Sequence, residues 1–439
     1  MTLRSRQDLV TRILAYNVQV NGERIDGAGS SFHHLCDCLD RAGVRFGDIV
    51  VLSGLQGRDL VVAALAVWQL NAVPMPVPEP PPGVQSTQAL LSTCRVTGDL
   101  SVLPAAPGHR VDPLDSTAVI HMSSGSTDRP KAARRGLKSV LMDAEGYRAA
   151  LSLAPGDCVA VPVPLVHSFG WGIAVGALLS GCDIDVTPFV RAGTLARKAD
   201  SGAVSVLALT PPVARLLVGT QRQGESVPRA AMAGAGPVSD ELDEAFRKRF
   251  GVQLFRGYGS TETGGTLFGD RGMGMPVPGV DIVEPLPGER GELVLRLAAP
   301  IEGYLGDDQE PLRDWRTGDV VWHGTDGCVH FEERVRGPLR LNGRFIRADI
   351  TEQVLRSVPG VTDVFLLALS RSDSPETEDF YSVVEGTASE EDLLAALAAA
   401  PAQTPVPRVV VCDRLPRNTV GKRDRGALIE TVRKVCRRE

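Results

Sequence analysis

Residues 118–131 read AVIHMSSGSTDRPK, an apolar run of strand character that passes at once into small hydroxylated and glycine residues and closes on Pro130 and Lys131. Short side chains at Ser123, Ser124, Gly125, Ser126 and Thr127 let backbone N–H groups approach anionic oxygens. Their hydroxyls add donors, and Lys131 supplies a full charge. This is the chemistry of a polyphosphate cradle, and so of a nucleotide site. It is not the Walker loop, because the only Gly-Lys pair, Gly421-Lys422, is followed by Arg423 rather than by serine or threonine. A polar surface loop has the same composition, so the surroundings must decide.

Those surroundings alternate between helix and strand. Upstream, the pattern predicts a helix over 32–42, strand 49–53, helix 59–70 and strand 73–77, followed by a proline cluster at 78–82. Downstream, strands are expected near 118–122, 158–162, 183–187 and 204–209, with helices over 137–152 and 171–179. Nearly continuous apolar strands between helices imply an α/β fold with a parallel, doubly wound sheet, with the 123–131 run just past a strand end. After 279 the texture changes to short strands at 292–297, 320–323 and 329–332, the last two joined by Asp326-Gly327, which reads as a small β subdomain with a hairpin. Two domains follow: a large one over 1–335 and a small α+β domain over 336–439.

Composition narrows the function class. A chain of 439 residues with 43% hydrophobic content has ample material for two cores, and a formal charge of −6 argues against a nucleic-acid partner. No run of eighteen apolar residues predicts a membrane span, and the N-terminal segment carries Arg4, Arg6, Asp8 and Arg12, unlike a secretory signal, so the cytoplasm is the expected compartment. Eight scattered cysteines lack C-x-x-C spacing and read as buried reduced thiols rather than a disulfide framework or zinc site. Of the 47 basic residues only Lys131, Lys138, Lys198, Lys248, Lys422 and Lys434 are lysines, so a lysine in a phosphate-binding context carries more information than usual.

Three further segments carry chemistry. In YGSTE, 258–262, the glycines permit a tight turn, Thr261 can donate to a phosphate and Glu262 can hold the Mg²⁺ that accompanies ATP; a helix-capping turn is the alternative. In WRTGDVV, Asp319 is expected in a glycine turn opening the hairpin, where one carboxylate can accept both hydroxyls of a ribose or serve as an ordinary turn residue. In LPRNTVGKRDR, 415–425, a loop delivers Lys422 to the start of a helix, placed either to reach a substrate oxyanion or to face solvent.

Taken together and in order, SSGSTDRPK, PLVHSFG (164–170), AGAGPV (233–238), YGSTE, GMPVPGV (274–280), GERGEL (288–293), RTGD, ERVRGPLRLNG (333–343) and LPRNTVGKRDR resemble the acyl-adenylate-forming superfamily of acyl-CoA synthetases, peptide-synthetase adenylation domains and beetle luciferases. The resemblance spans roughly 32–428 and is nearest to stand-alone acyl-CoA or acyl-carrier-protein synthetases. It implies an ATP-dependent, Mg²⁺-requiring ligase that forms an acyl-adenylate and pyrophosphate, then passes the acyl group to a thiol of CoA or a carrier protein. Position by position it implies that 123–131 hold the β- and γ-phosphates, with Gly234, Ala235 and Gly259 also in the nucleotide site. Thr261 would bind the α-phosphate and Glu262 the Mg²⁺. Tyr258 would lie on the adenine with Phe331 near, and Asp319 and Arg334 would take the ribose. Lys422 would bridge carboxylate and ribose oxygens, and Arg336 would be the hinge about which the small domain turns.

The resemblance also bears on the acid. Amino-acid-activating relatives place an aspartate near the PLVHSFG segment, and none stands there, so an aliphatic or aryl acid without an α-amino group is expected. His167, Phe169, Gly170, Gly234, Gly257 and Gly259 would form its pocket, with His167 as a gate or a packed core histidine and the glycines leaving room for an acyl chain or a flat ring. Asp128 and Ala132 stand where the family usually has glycine, and Arg340 replaces a lysine of the second step. Little chain separates 82 from 123, so one helix-strand unit is expected to be trimmed. A degenerate member that binds nucleotide without turnover, or an enzyme with a non-thiol acceptor, is the alternative. No feature of the sequence fixes the oligomeric state.

Overall fold

The computed structural model describes residues 3–27, 30–78, 94–104, 112–123, 131–187, 191–306, 314–334, 339–342, 344–346, 348–371, 374, 377–401, 404–416 and 425–436. These fall into two compact units, one within 1–335 and one from 336 onward.

The first unit is built on a nine-stranded sheet. Its centre is parallel, with Leu254–Ser260, Ala230–Gly234, Val206–Leu209, Cys158–Ala160 and Asp183–Asp185 side by side. Ala230–Gly234 and Val206–Leu209 are apolar on both faces, with core clusters on either side. Gly264–Gly269 and Met275–Pro276 extend one edge in antiparallel fashion. A second sheet sets Val73–Val77 beside Ile49–Ser53, then Cys94–Val96 and Val102–Pro104. Pro74 and Pro76 are tolerated because Val73–Val77 is an edge strand that owes no second ladder of hydrogen bonds. Helix Gly57–Gln69 has every residue from 60 to 68 buried, so it is enclosed rather than amphipathic.

Local chemistry places the strands that matter. Helix Asp240–Phe250 is capped by Ser239, whose side chain accepts from the Leu242 N–H at 3.2 Å. Acidic residues fill its first turn and basic ones its last, matching the helix dipole, and Gly251 at φ +75° stops it. Asp243 of that helix then accepts the N–H of Leu254 at 2.8 Å, fixing where strand Leu254–Ser260 begins.

One expectation is corrected here. The run 118–122 does not join the parallel sheet: strand Thr117–Ser123 folds back on Lys131–Gly136 as an antiparallel hairpin in a sheet of its own. Between 82 and 123 the described residues hold the short strands Cys94–Val96 and Val102–Pro104. The β subdomain is present as Val280–Glu284, Glu289–Leu297, Asp314–His323 and Val329–Arg334, all antiparallel.

The second unit has a three-stranded sheet, Val361–Ser370 antiparallel to Glu378–Gly386 and the latter parallel to Arg408–Cys412. Helices Ala348–Arg356, Glu390–Ala398 and Arg425–Cys436 accompany it. Leu355, Val364, Val384 and Leu393 form one core cluster and Leu367, Val383, Leu428 and Val432 another, so this unit carries its own apolar interior. Among the described residues seven cysteines are free thiols, of which Cys94, Cys182 and Cys328 are buried and Cys36, Cys38, Cys158 and Cys412 half-buried. Among the described residues no helix is long and apolar enough to cross a membrane.

Candidate functional site

The hairpin 117–136 brings Ser123 and Lys131 face to face as register partners, at the end where the chain passes from one strand to the other. Ser124, Gly125, Ser126 and Thr127 lie outside the described residues, as does Asp128. Ser123 is only 6% exposed and its Oγ has no hydrogen-bond partner among the described residues. A buried hydroxyl without a partner is costly, and a phosphate oxygen would satisfy it. Residues 303–305 run beside the hairpin: Arg134 N–H donates to Gly303 O at 2.9 Å and Leu305 N–H to Ala132 O at 2.8 Å. That pairing sets the Tyr304 ring 4.9 Å from Lys131 Nζ. The same Tyr304 donates its hydroxyl to Glu262 Oε1 at 3.2 Å. One phenol therefore joins the ammonium expected at the phosphates to the carboxylate expected at the metal.

Glu262 sits in a turn rather than a helix cap. Strand Leu254–Ser260 continues through Tyr258 and Gly259, turns over 261–263 and returns as Gly264–Gly269, with a register shift at Tyr258 and Gly259. Ser260 N–H donates to Thr263 Oγ1 at 3.1 Å and Thr263 N–H to Ser260 Oγ at 3.2 Å, a reciprocal clasp that puts half-buried Thr261 and Glu262 at the apex. Glycine is required at two points. A Cβ on Gly259 would lie 2.0 Å from Gly264 O, and Gly264 has φ +71°. No helix follows, so the helix-capping alternative is excluded.

Asp319 also stands elsewhere than expected. It lies inside strand Asp314–His323, buried, while the hairpin turn falls later, at 324–327. Tyr258 donates its hydroxyl to Asp319 Oδ2 at 2.6 Å, and Asp319 is the register partner of Arg334 on Val329–Arg334. Phe331, on the same strand, is 53% exposed. Residues 76 positions apart in the chain thus converge on one edge of the first unit. Arg336 and Lys422 lie outside the described residues.

The family profile described as AMP-binding enzyme matches residues 84–305, just over half of the chain. The chain belongs to the AMP-binding enzyme family. This AMP-binding chain is 27% identical over 440 residues to a feruloyl-CoA synthase from Amycolatopsis sp, covering 88% of itself and 89% of that protein. It is 24% identical over 341 residues to 4-coumarate–CoA ligase-like 2 of Arabidopsis thaliana, covering 70% of itself. It spans about three fifths of the length of the plant 4-coumarate–CoA ligase-like relatives at the head of its matches. Its fold is that of the amide bond synthetase McbA from Marinactinospora thermotolerans, with TM-score 0.75 at 19% identity over 96% of this chain and 98% of that one.

In this AMP-binding enzyme the glycines assigned to the acid pocket admit the close approach of neighbouring side chains and backbone. A Cβ on Gly234 would fall 2.8 Å from the Phe169 ring, and one on Gly257 would meet Met232 Sδ at 3.1 Å and the Phe268 ring at 3.4 Å. Gly259 faces backbone, as above. The Tyr147 ring completes the block, 6.2 Å from Phe169 and 4.8 Å from Phe268 between centroids. Gly170 is required for another reason: a Cβ there would lie 2.8 Å from Pro164 O, so glycine lets helix Ser168–Leu179 start hard against 163–164. His167 occupies the N-cap position of that helix with no side-chain cap bond. Ala235, beside Gly234, holds φ +62°, a strained value for a residue with a Cβ.

Sequence reasoning missed Tyr304, whose only signal was an aromatic residue after Gly303, far from every glycine-rich motif. It also missed Arg135 and Asp143, whose charges lie in otherwise ordinary strand and helix positions.

Proposed function

We propose that this chain is an AMP-forming acid–thiol ligase. A carboxylate attacks the α-phosphorus of ATP to give acyl-AMP and pyrophosphate, and a thiol, that of CoA in the first place, then displaces AMP to give the thioester. The observation that carries the reading is the convergence of Ser123, Lys131, Tyr304 and Glu262 on one side and Tyr258 and Asp319 on the other. Phosphoryl chemistry of this kind is chiefly positioning and charge neutralisation, and these residues supply both.

Each residue has a task suited to its chemistry. Ser123 and Lys131 bind the β- and γ-phosphate oxygens, and Thr261 donates to the α-phosphate. Asp319, oriented by the Tyr258 hydroxyl, accepts the ribose hydroxyls, with Arg334 beside it in register. Among the described residues no three His, Cys, Asp or Glu stand together as a metal cage, so Glu262 fits a cation whose remaining ligands are phosphate oxygens and water. When bound there, Mg²⁺ supplies charge neutralisation at the departing pyrophosphate. Lys422 and the 336–439 domain, turning about Arg336, serve adenylation first and then make way for the thiol.

The acid we infer is compact, aryl or short aliphatic, because Phe169, Met232 and Phe268 occupy the sides of Gly234 and Gly257. The names of the feruloyl-CoA synthase and coumarate–CoA ligase-like relatives support an aryl acid and CoA, and that of the amide bond synthetase keeps an amine acceptor as the competing reading. Lys422→Ala is expected to abolish adenylation while sparing thioester formation from a supplied acyl-adenylate. Equal loss of both steps contradicts the role, and acyl transfer to an amine but not to CoA would decide for the competing acceptor.

A further inference from the structure

Asp143, on helix Leu137–Leu151, and Arg135, on strand Lys131–Gly136, form an ion pair with Nη1 3.1 Å from Oδ2, their side chains 2% and 0% exposed. Arg135 Nε donates to Ser139 Oγ at 3.1 Å and Nη2 to Ser139 O at 3.2 Å. Glycines close over the pair: a Cβ on Gly264 would lie 2.4 Å from Arg135 Nη2, and one on Gly172 would lie 2.6 Å from Asp143 Oδ2. Burial pushes the Asp143 carboxyl above its usual range, against the pull of Arg135 and the Gly265 N–H. Such a pair is a poor device for stability, since apolar residues of similar shape in its place are often neutral or better.

The second oxygen of Asp143 explains what the pair does. Oδ1 accepts the backbone N–H of Gly265 at 2.9 Å. Gly265 lies three residues after Glu262, where the turn rejoins its strand, and Arg135 lies four residues after Lys131 on the hairpin. The chain from Lys131 through Arg135 and Asp143 to Gly265 therefore ties the phosphate hairpin to the Thr261–Glu262 turn through buried, charge-assisted bonds. We propose that Arg135 and Asp143 are positioning residues that hold Glu262 at the metal–nucleotide site. The inference rests on the function proposed above for Glu262. A carboxylate that must meet a cation carried by phosphates gains affinity when its turn is fixed beforehand, and partners behind a ligand commonly matter to metal affinity.

The decisive comparison uses two neutral double variants of the full chain, Arg135→Met with Asp143→Asn and Arg135→Met with Asp143→Leu. They differ in shape very little, but only asparagine keeps an acceptor for the Gly265 N–H. Calorimetry with MgATP and with ATP in EDTA is expected to show the asparagine variant close to wild type and the leucine variant weaker for MgATP by about tenfold or more. Both should match wild type for metal-free ATP, a split that a merely structural role would not produce. Equal MgATP affinity in two folded variants overturns the inference alone. A wild-type chain that binds neither form of ATP overturns the proposed function and the inference with it. Should a variant fail to fold, hydrogen exchange on the wild type decides: a Gly265 amide protected without nucleotide supports the anchor, and exchange at the solvent rate refutes it.

Discussion

Arg135 and His121 face the same way on the 117–136 hairpin, each fully buried, and their circumstances are opposite. Arg135 has bonds to Asp143 and Ser139. His121, diagonal to it, has no partner at either ring nitrogen among the described residues, and neither Trp171 Nε1, with its ring 5.4 Å from the imidazole, nor Ser123 Oγ two residues on has one there. Polarity that is fully bonded belongs to the permanent frame and ties the hairpin to the Thr261–Glu262 turn. Polarity that is unbonded lowers stability on its own, and on this strand it reaches from His121 to Ser123. Burial, with the charge of Arg135 and the nearby His167 adding to it, drops the His121 pKa to about 3, so the imidazole is held neutral.

The largest expected effect breaks the bonded side. Asp143→Leu alone strands the Arg135 charge and should cost about 3–5 kcal/mol in urea unfolding. Adding Arg135→Met should recover most of that loss; an unchanged midpoint in the single variant would erase the contrast between the two residues.

The unbonded side should reveal itself in acid. The unfolded His121 binds a proton below its ordinary pKa near 6.5 and the folded one does not until about pH 3, so stability falls as pH drops through that window, by about 1.4 kcal/mol per unit at most for this one group. His121→Phe should flatten that part of the stability–pH curve, and an unaltered slope would contradict the buried neutral imidazole. At pH 7 the same substitution should raise stability slightly, by roughly 1 kcal/mol, because two unpaired nitrogens leave the interior. Smallest of all, Tyr258→Phe removes one hydrogen bond to Asp319, worth about 0.5–1.5 kcal/mol, and should weaken ATP binding by no more than about tenfold.

What could be read in the amino-acid sequence was whatever is encoded locally. Strands Ile49–Ser53 and Val73–Val77 stand where apolar runs between turn residues placed them, and the hairpin at Asp326-Gly327 formed as its turn chemistry implies. Pairing was not local. The strand at Thr117–Ser123 was expected in a parallel sheet, and nothing in AVIHM distinguishes that from the antiparallel hairpin it makes with Lys131–Gly136. Asp319 looked like a turn residue because Gly318 precedes it, yet that glycine sits at φ +73° within a long strand. Phe169 was placed in the acid pocket by its motif, whereas Met232 and Phe268, which lie beside Gly257, carry no motif that points to it. The resemblance singled out Lys131, Tyr258, Glu262 and Asp319 by motif; Tyr304, which touches Lys131 and Glu262, and the Arg135–Asp143 pair, which bonds Gly265, carry no motif, because these contacts exist only in three dimensions.

Acid-dependent adenylation is the property on which the proposed function stands. Wild-type protein with MgATP and radiolabelled pyrophosphate, presented with aryl, short and long aliphatic, and amino acids in turn, should return label into ATP above the acid-free blank with one or more compact aryl or short aliphatic acids and not with amino acids. Exchange that stays at the blank for every acid in the panel would contradict the account.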